Sequence, residues 1–441
     1  MNRLHPPAAV LEIAERLEAA GYEAWCVGGA VRDALLGHDH LDWDFATSAT
    51  PEQVRATFGA RRTIPVGIEF GTVGVLDRDN AMHEVTTFRR DVKTDGRHAE
   101  VAFGVSLEDD LARRDFTINA IAYSPKLGAI RDPFGGRQDL ERRIIRAVGD
   151  PEARMREDRL RALRAIRFAA RFGFAIDDAT RRAIVNSAPH LGRLSPERVK
   201  QELDKTMEQV RIPSAAFEIW KASGAFATLI PALDIASSRA LRVPDCLAVP
   251  GLPKRPARRP LRFAGLLCSL TEHTAIGVLT SLRASKVEIQ TVALLVERWH
   301  ALGATIADAL TSTEVVAEGN VRRWVARIGR MHIGSFLRLA SAVWAVARAE
   351  GADAPRPEAV RVLYRRMQRV ALRDPIDLGS LAVDGDDLRR AGIPPGPALG
   401  KILQALLEAV IDDPSRNSTD WLLQEGRRMY EAAQSKQDER G

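Results

Sequence analysis

The chain has 441 residues, more than one domain ordinarily holds, and 45 % of them are apolar, enough to bury a core. Sixty-four Lys and Arg against 58 Asp and Glu give a formal charge of +6, a mildly basic balance that suits a polyanionic partner without requiring one. Three scattered cysteines, Cys26, Cys246 and Cys268, argue against a disulfide framework or structural zinc and fit a reducing cytoplasm. No apolar run nears the ~18 residues of a membrane span, and MNRLHPPAAVLEIAERL lacks a signal-peptide core, so a cytoplasmic protein with no membrane partner is expected.

In chain order, Val10, Leu11, Ala14 and Leu17 recur at helical spacing after Pro6-Pro7, and Gly21 stops the helix. AWCVGG reads as a strand running into a glycine turn, VRDALLG as a short helix closed by Gly37, and DWDFATS as a second strand. Thr50-Pro51-Glu52 opens a helix with a cap and a proline in its first turn. TVGVL and HEVTTF, rich in β-branched residues, read as further strands. From about 150 the pattern turns helical, with PEARMREDRLRALRAIRFAARF as one strong segment. Proline-rich breaks fall at 242–260, 351–358 and 392–400, the first read as a linker or long loop, and no repeat or sustained heptad appears. These elements predict an α+β head followed by an all-helical remainder.

The sharpest local feature is Asp42-Trp43-Asp44. Residues i and i+2 of a strand share a face, and two carboxylates held side by side repel unless a cation lies between them. A solvated surface pair is the plainer account of such a motif alone. About ten residues upstream, Gly28-Gly29-Ala30-Val31-Arg32-Asp33 follows a strand and opens a helix, where backbone N–H groups and Arg32 can meet a phosphate; a plain turn is the alternative. Glu84 is a third candidate carboxylate, as general base or outer metal ligand, or simply an exposed strand acid. The run His38-Asp39-His40 reads as loop polarity just past a helix stop.

Between 150 and 172, Met155, Leu163, Ile166 and Ala170 fall on one side of a helix, and Glu157, Asp158, Arg161 and Arg164 cluster opposite. Asp158 and Arg161 are i,i+3 neighbours, able to act as one unit or as a surface ion pair. Ser195 before Pro196 is a candidate N-cap. The segment 90–104 is polar with little periodicity and reads as a loop.

Taken in order, CVGGAVRDALLG, LDWDFATSATPEQV, HEVTTFRRD, LARRDFTINAIAYSP and DPFGGRQDLERRIIRAVGDPEARMREDRLRALRAIRFAARFGF resemble the bacterial class II tRNA nucleotidyltransferase and poly(A) polymerase family, most of all its CCA-adding members. The resemblance covers roughly 20–205 and is loose beyond about 210. It implies a polymerase-β-like nucleotidyltransferase head (1–148), a helical neck (149–210), a helical body (211–350) and an RNA-binding helical tail (351–441). It implies Mg²⁺ held by Asp42 and Asp44 with Glu84 assisting, and a triphosphate met by Gly28, Gly29, Arg32 and Asp33. Arg113, Arg114, Asp115 and Asn119 fall in its ribose-sensing motif.

Glu157, Asp158, Arg161, Arg164 and Arg167 match the family's base-selecting motif. Cytosine and adenine both present an amino donor beside a ring-nitrogen acceptor, which a carboxylate and a guanidinium can read together; uracil and guanine present the opposite order. An unpaired buried polar group costs ~1–3 kcal/mol, one to two decades of discrimination per mismatch. Residues 90–104 match the family's flexible loop, which favours full CCA addition, and LSPERVKQEL its last motif, a brace for the neck. The implied partners are CTP, ATP and the 3′ acceptor end of tRNA; oligomeric state is not legible. A poly(A) polymerase shares these motifs, and a non-catalytic tRNA-binding protein is the reading from another class. After residue 200 no His is followed by Asp, so no phosphohydrolase activity is expected.

Overall fold

The structure, a computed structural model, describes residues 4–38, 43–94, 99–247 and 258–438. Asp39, His40 and Asp42 lie outside the described residues. The chain divides into two compact units, Met1–Ala236 with Ser281–Arg283, and Ser237–Thr280 with Ala284–Gly441.

The first unit begins with helix α1 (Ala8–Ala19), which buries Val10, Ile13, Ala14 and Leu17, a stripe at the spacing read from the sequence. Strand β1 (Ala24–Val27) is buried throughout and ends at the glycine turn that starts α2 (Gly29–Leu35). Then come β2 (Asp44–Thr47) and α3 (Pro51–Phe58). Thr50 caps α3 in a capping box with Gln53, and Pro51 occupies its first turn, as the sequence signals.

Five more strands, β3 (Thr63–Gly67), β4 (Thr72–Leu76), β5 (Met82–Thr87) and, later, β8 and β9 at the end beyond β1, complete the main sheet. Its order is β3-β4-β5-β2-β1-β8-β9, with β8 Ala122–Ser124 and β9 Ala129–Arg131. Only β2 and β5 run parallel (Phe45 opposite Val85); the other pairs are antiparallel. One face of the central strands packs Trp25, Val27 and Ala46 with Phe88, Leu107, Leu111, Ala120, Ala122 and Val148.

Residues 90–104 differ from the loop expected of them. Arg89–Thr94 (β6) and Ala99–Phe103 (β7) pair as a separate antiparallel ribbon, with a register shift between Asp91 and Lys93. Irregular alternation across that shift hid the strands from a period-two reading. Residues 95–98 lie outside the described residues.

Helices α4 (Leu107–Ala112), α5 (Gly136–Arg142), α6 (Pro151–Glu157), α7 (Leu160–Phe172), α8 (Asp178–Ser187), α9 (Pro196–Gln209) and α10 (Ser214–Ser223) follow, with two short strands, Ile144–Ile145 and Ala175–Ile176, paired parallel. The single helix expected across 150–172 is two. Asp158 (φ −145°, ψ 105°) leaves the helical region, and its carboxylate accepts from the Leu160 N–H at 3.0 Å, starting α7 afresh. Met155, Leu163 and Ile166 are buried as expected, while Ala170 is half-buried. Ser195 sits at the N-cap of α9 but its side chain makes no capping bond; Pro196 occupies the first turn.

The second unit consists of helices joined by turns and loops, with no strand among its described residues. Its longer members are α11 (Arg258–Leu267), α12 (Lys286–Thr311), α13 (Glu318–Ile328), α14 (Ile333–Ala349), α15 (Pro357–Arg373), α16 (Pro397–Asp412) and α17 (Thr419–Asp438). The proline-rich stretch 242–260 is a short 3₁₀ turn at Val243–Leu247 and the first turn of α11, with 248–257 outside the described residues. Trp299 and Trp344 meet edge-on at 6.2 Å where α12 packs on α14, and Leu388, Leu406, Val410 and Leu422 form a core toward the end of the chain. No helix of the described residues is long and apolar enough to cross a membrane.

Candidate active site

Asp44 enters the site because of strand register. It opens β2 directly opposite Val27, the last residue of β1, and Gly28 follows immediately. Gly28 has φ 76° and ψ −134°, a backbone conformation that suits glycine alone, and an added Cβ would lie 3.2 Å from Arg114 Nη1. The glycine turn, Asp44 and Arg114 are therefore held against one another by backbone geometry.

Around them lies a cleft of about 440 Å³ within the first unit. Of the candidate residues, Gly28, Gly29, Arg32, Asp44, Arg113, Arg114, Asp115, Asn119, Arg164 and Arg167 line it. Asp33, Glu84, Glu157, Asp158 and Arg161 are not in its lining. Four lining residues were missed: Phe168, Arg171, Lys205 and Gln209. Arg171 continues the 3.6-residue stripe of Arg164 and Arg167, a signal present in the sequence. Lys205 and Gln209 come from α9, and only its docking on α7 reveals them.

A continuous hydrogen-bonded chain supports the cleft. Arg32, 3 % exposed, donates from Nε to Asp33 at 2.7 Å and from Nη1 to the Asn119 side-chain oxygen at 2.6 Å. Asn119 Nδ2 donates to Asp115 Oδ1 at 2.9 Å, and Arg164 donates to Asp115 Oδ2 from Nε at 2.9 Å and Nη2 at 2.7 Å. Arg167 Nε donates to the buried Glu202 at 2.6 Å. Phe168 lies under the guanidiniums of Arg32, Arg164 and Arg167, 4.3–5.4 Å from its ring centre.

Burial opposes ionisation of Asp115, but the Arg164 guanidinium and the Asn119, Arg164 and Phe116 hydrogen bonds outweigh it and hold the carboxyl below the ordinary carboxylate value. Asp110, buried at the end of α4, likewise gathers Arg113 (2.8 Å) and Arg114 (3.1 Å); both guanidiniums hold it down against burial. Burial pushes the Arg32 and Arg167 guanidiniums down from their ordinary value, although each has a carboxylate partner. Arg114 Nε is buried without a hydrogen-bond partner.

The base-selecting candidates are arranged differently from the expected Asp158–Arg161 unit. Asp158 Oδ2 accepts from Arg198 at 2.7 Å, while Arg161 donates to Glu157 (2.6 Å), to the Arg154 carbonyl (3.2 Å) and to the Arg113 carbonyl (3.0 Å). The break at Asp158 separates the two residues that a continuous helix would have stacked.

Among the described residues no group of three or more His, Cys, Asp and Glu side chains is placed to hold a metal ion. Of the carboxylates proposed for metal binding, Asp44 lines the cleft and Glu84 lies outside its lining; Asp115, also in the lining, is engaged by Arg164 and Asn119. Continuing the β2–β5 register one step before Phe45–Val85 sets Glu84 beside Asp44 on the same face. An all-carboxylate donor set at an open cleft suits a hard divalent cation that keeps positions for water and phosphate oxygens.

Residues 24–146 match the poly A polymerase head domain, 173–236 the probable RNA and SrmB-binding site of polymerase A, and 262–425 the putative tRNA nucleotidyltransferase domain 2. The chain is 38 % identical over 439 residues to the CCA-adding enzyme of Geobacillus stearothermophilus, covering 96 % of this chain and 98 % of that one. It is 36 % identical over 432 residues to the CCA-adding enzyme of Geobacillus kaustophilus, with the same coverage. The crystal structure of the Bacillus stearothermophilus CCA-adding enzyme in complex with CTP matches at a TM-score of 0.75 and 33 % identity, over 96 % of this chain and 98 % of that chain. With a polymerase-β-like head, a helical remainder and this likeness along nearly its whole length, the chain belongs to the tRNA nucleotidyltransferase and poly(A) polymerase family, among the CCA-adding enzymes.

Proposed function

We propose that the protein adds C, C and A to the 3′ end of tRNA from CTP and ATP and releases pyrophosphate. One observation carries this reading: Asp44 and the Gly28–Gly29 turn face a cleft whose far side is lined by the cations of α7 and α9. A carboxylate edge opposite a guanidinium-rich wall suits a triphosphate bridged to a divalent cation. The relatives' names and the match of 262–425 to a tRNA nucleotidyltransferase domain favour tRNA as acceptor.

Asp42 and Asp44 would hold Mg²⁺, with Glu84 alongside. When bound, a metal pair activates an attacking hydroxyl and neutralises charge on leaving phosphate oxygens. The chain's own groups do the rest. The Gly28–Gly29 backbone and Arg113, Arg114, Arg171 and Lys205 meet the phosphates. Asp115, fixed by Arg164 and Asn119, offers its remaining lone pairs to a ribose hydroxyl. Asp158 and Arg161 read the base edge: Asp158 retains acceptor sites beyond its two bonds, and Arg161 uses only part of its five N–H donors. Head (1–148), neck (149–210), body (211–350) and tail (351–441) divide the work, the helical remainder carrying the RNA by phosphate contacts that weaken with salt.

Poly(A) polymerase is the second reading, favoured by the head's match to that family model. Purified protein is given tRNA lacking CCA, and in parallel an unstructured RNA with ATP alone. Addition of three nucleotides to tRNA is expected; long A tails on both substrates would overturn it. Asp42→Asn or Asp44→Asn retaining full activity would remove the catalytic roles assigned here.

A further inference from the structure

The second unit contains a groove of about 530 Å³, a volume within the ~300–1,000 Å³ usual for small-molecule sites. Its walls are α14 and α15, which pack on each other, and the 3₁₀ turn Val243–Leu247. α14 gives it one helical face, on which Gly334, Ser341, Ala342 and Ala345 are small. The space exists because those positions carry so little side chain. Leu247, Leu337, Pro357 and Val360 supply an aliphatic lining.

The charged groups of the groove share one sign. Arg338, Arg348 and Arg361 line it, and among the described residues no Asp or Glu does. Tyr364 reaches over Gly334: a Cβ added there would lie 3.8 Å from the phenol oxygen. Arg338 is one turn on from Gly334 and Arg361 one turn before Tyr364, so two guanidiniums and a hydroxyl belong to that end of the groove. Arg348 lies further along α14, roughly 15 Å of helix from Arg338, with aliphatic wall between them. Arg361 pairs with the exposed Glu358 at 2.6 Å, Arg348 donates to the Pro355 carbonyl, and Arg338 is engaged as well. A guanidinium has five donors, so one such bond does not exhaust it.

We infer that this groove is a binding site for an amphipathic aliphatic carboxylate, its chain laid between α14 and α15 and its head met by Arg338, Arg361 and the Tyr364 hydroxyl. Charge selects the head: a carboxylate accepts from all three groups, whereas an ammonium meets like charge. The wall selects the chain, because Leu, Val, Ala and Pro side chains offer no partner to a sugar or a base. The groove belongs to a different unit from the cleft around Asp44 and shares no lining residue with it.

Cys246 reports occupancy. It lines the groove and is exposed, whereas Cys26 and Cys268 are buried and burial pushes both thiols up. The test alkylates the full-length protein with iodoacetamide, a small neutral reagent, with and without decanoate below its micelle-forming range; C246S identifies the reacting thiol. Decanoate is expected to slow alkylation of Cys246 in proportion to occupancy, about tenfold at about ten times the half-protecting concentration. Decanol and decyltrimethylammonium at the same concentrations are expected to have little effect. R338Q and R361Q are each expected to raise the half-protecting concentration about tenfold, the loss of one charge-assisted bond. A345F, which fills the groove, is expected to remove the response to decanoate. Thermal melting accompanies every variant, and R361Q, at an exposed position, decides should A345F not fold. Equal protection by decanol would reduce the groove to apolar surface and overturn the inference, as would protection undiminished in R338Q and R361Q. Protection by tRNA lacking CCA and not by decanoate would make the groove an RNA surface. Alkylation that slows with protein concentration alone would make it a contact between copies. Either result sinks the inference.

Discussion

Arg164 and Asp115, 49 residues apart in the chain, meet through two donors on one oxygen: Nε at 2.9 Å and Nη2 at 2.7 Å both reach Oδ2. The contact ties α7 to the loop after α4 and leaves Asp115 with a fixed orientation toward the cleft. Arg164→Lys keeps the charge but not the fork. We expect it to narrow the preference for CTP over dCTP about tenfold, ~1.4 kcal/mol, with little change in kcat for CTP. Incorporation assays with the two nucleotides check this; an unchanged ratio removes ribose positioning from the role of the pair.

Gly28 tests the backbone side of the cleft. Its positive φ and the 3.2 Å approach of Arg114 leave a methyl group no unstrained position. Gly28→Ala is expected to cost about 1–3 kcal/mol of stability and to raise KM for both nucleotides, because Arg114 and the turn must move apart. Chemical denaturation and steady-state kinetics measure the two effects separately.

Asp110 supplies a pH dependence whose sign is fixed by its arginines. Its carboxyl lies below the ordinary value in the folded protein. The stabilisation is therefore complete above the unfolded value near ~3.9 and is lost as pH falls through the lower native value. Asp110→Asn should be less stable than the parent by about 2 kcal/mol at neutral pH, a gap that closes under acid. Denaturation midpoints at stepwise lower pH check the convergence; a gap that widens under acid would contradict the assignment.

Glu202 gathers more positive charge than any other carboxylate described here. The Arg167–Glu202 pair is 4 % and 2 % exposed, so truncating the acid leaves a buried cation. Glu202→Ala is expected to destabilise the protein by roughly 3–5 kcal/mol. Glu202→Gln, which retains a hydrogen-bond acceptor for Arg167, should cost less; calorimetry of both variants tests the order.

What could be read from the sequence was local. The Thr50 cap, the glycine turn after AWCV and the strands TVGVL and HEVTTF each carry their signal within a few residues, and each forms where expected. β3 went unread because Pro65 and Gly67 interrupt TIPVG, an edge strand of the main sheet where a missing N–H is tolerated. The break at Asp158 was legible only as a weak N-cap signal inside a strongly periodic run, and the period masked it. Lys205 and Gln209 could not have been assigned from spacing alone, because a helical stripe does not say what it faces. The motif order still identified the family before any of these contacts was visible, since it records residue types and not their directions.

The cleft begins at Gly28 and is finished by Gln209. During synthesis the sheet and its glycine turn therefore emerge long before the helix that balances the arginines of α7. Until α9 is made, Arg167 has no Glu202 and Asp158 no Arg198, while Arg164 and Arg171 already have Asp115 and Asp33. Closing contacts so distant in sequence is slow relative to forming the local hairpins and helices. A chain arrested before residue 196 would thus carry Arg167 without its buried carboxylate and a cleft without Lys205 and Gln209.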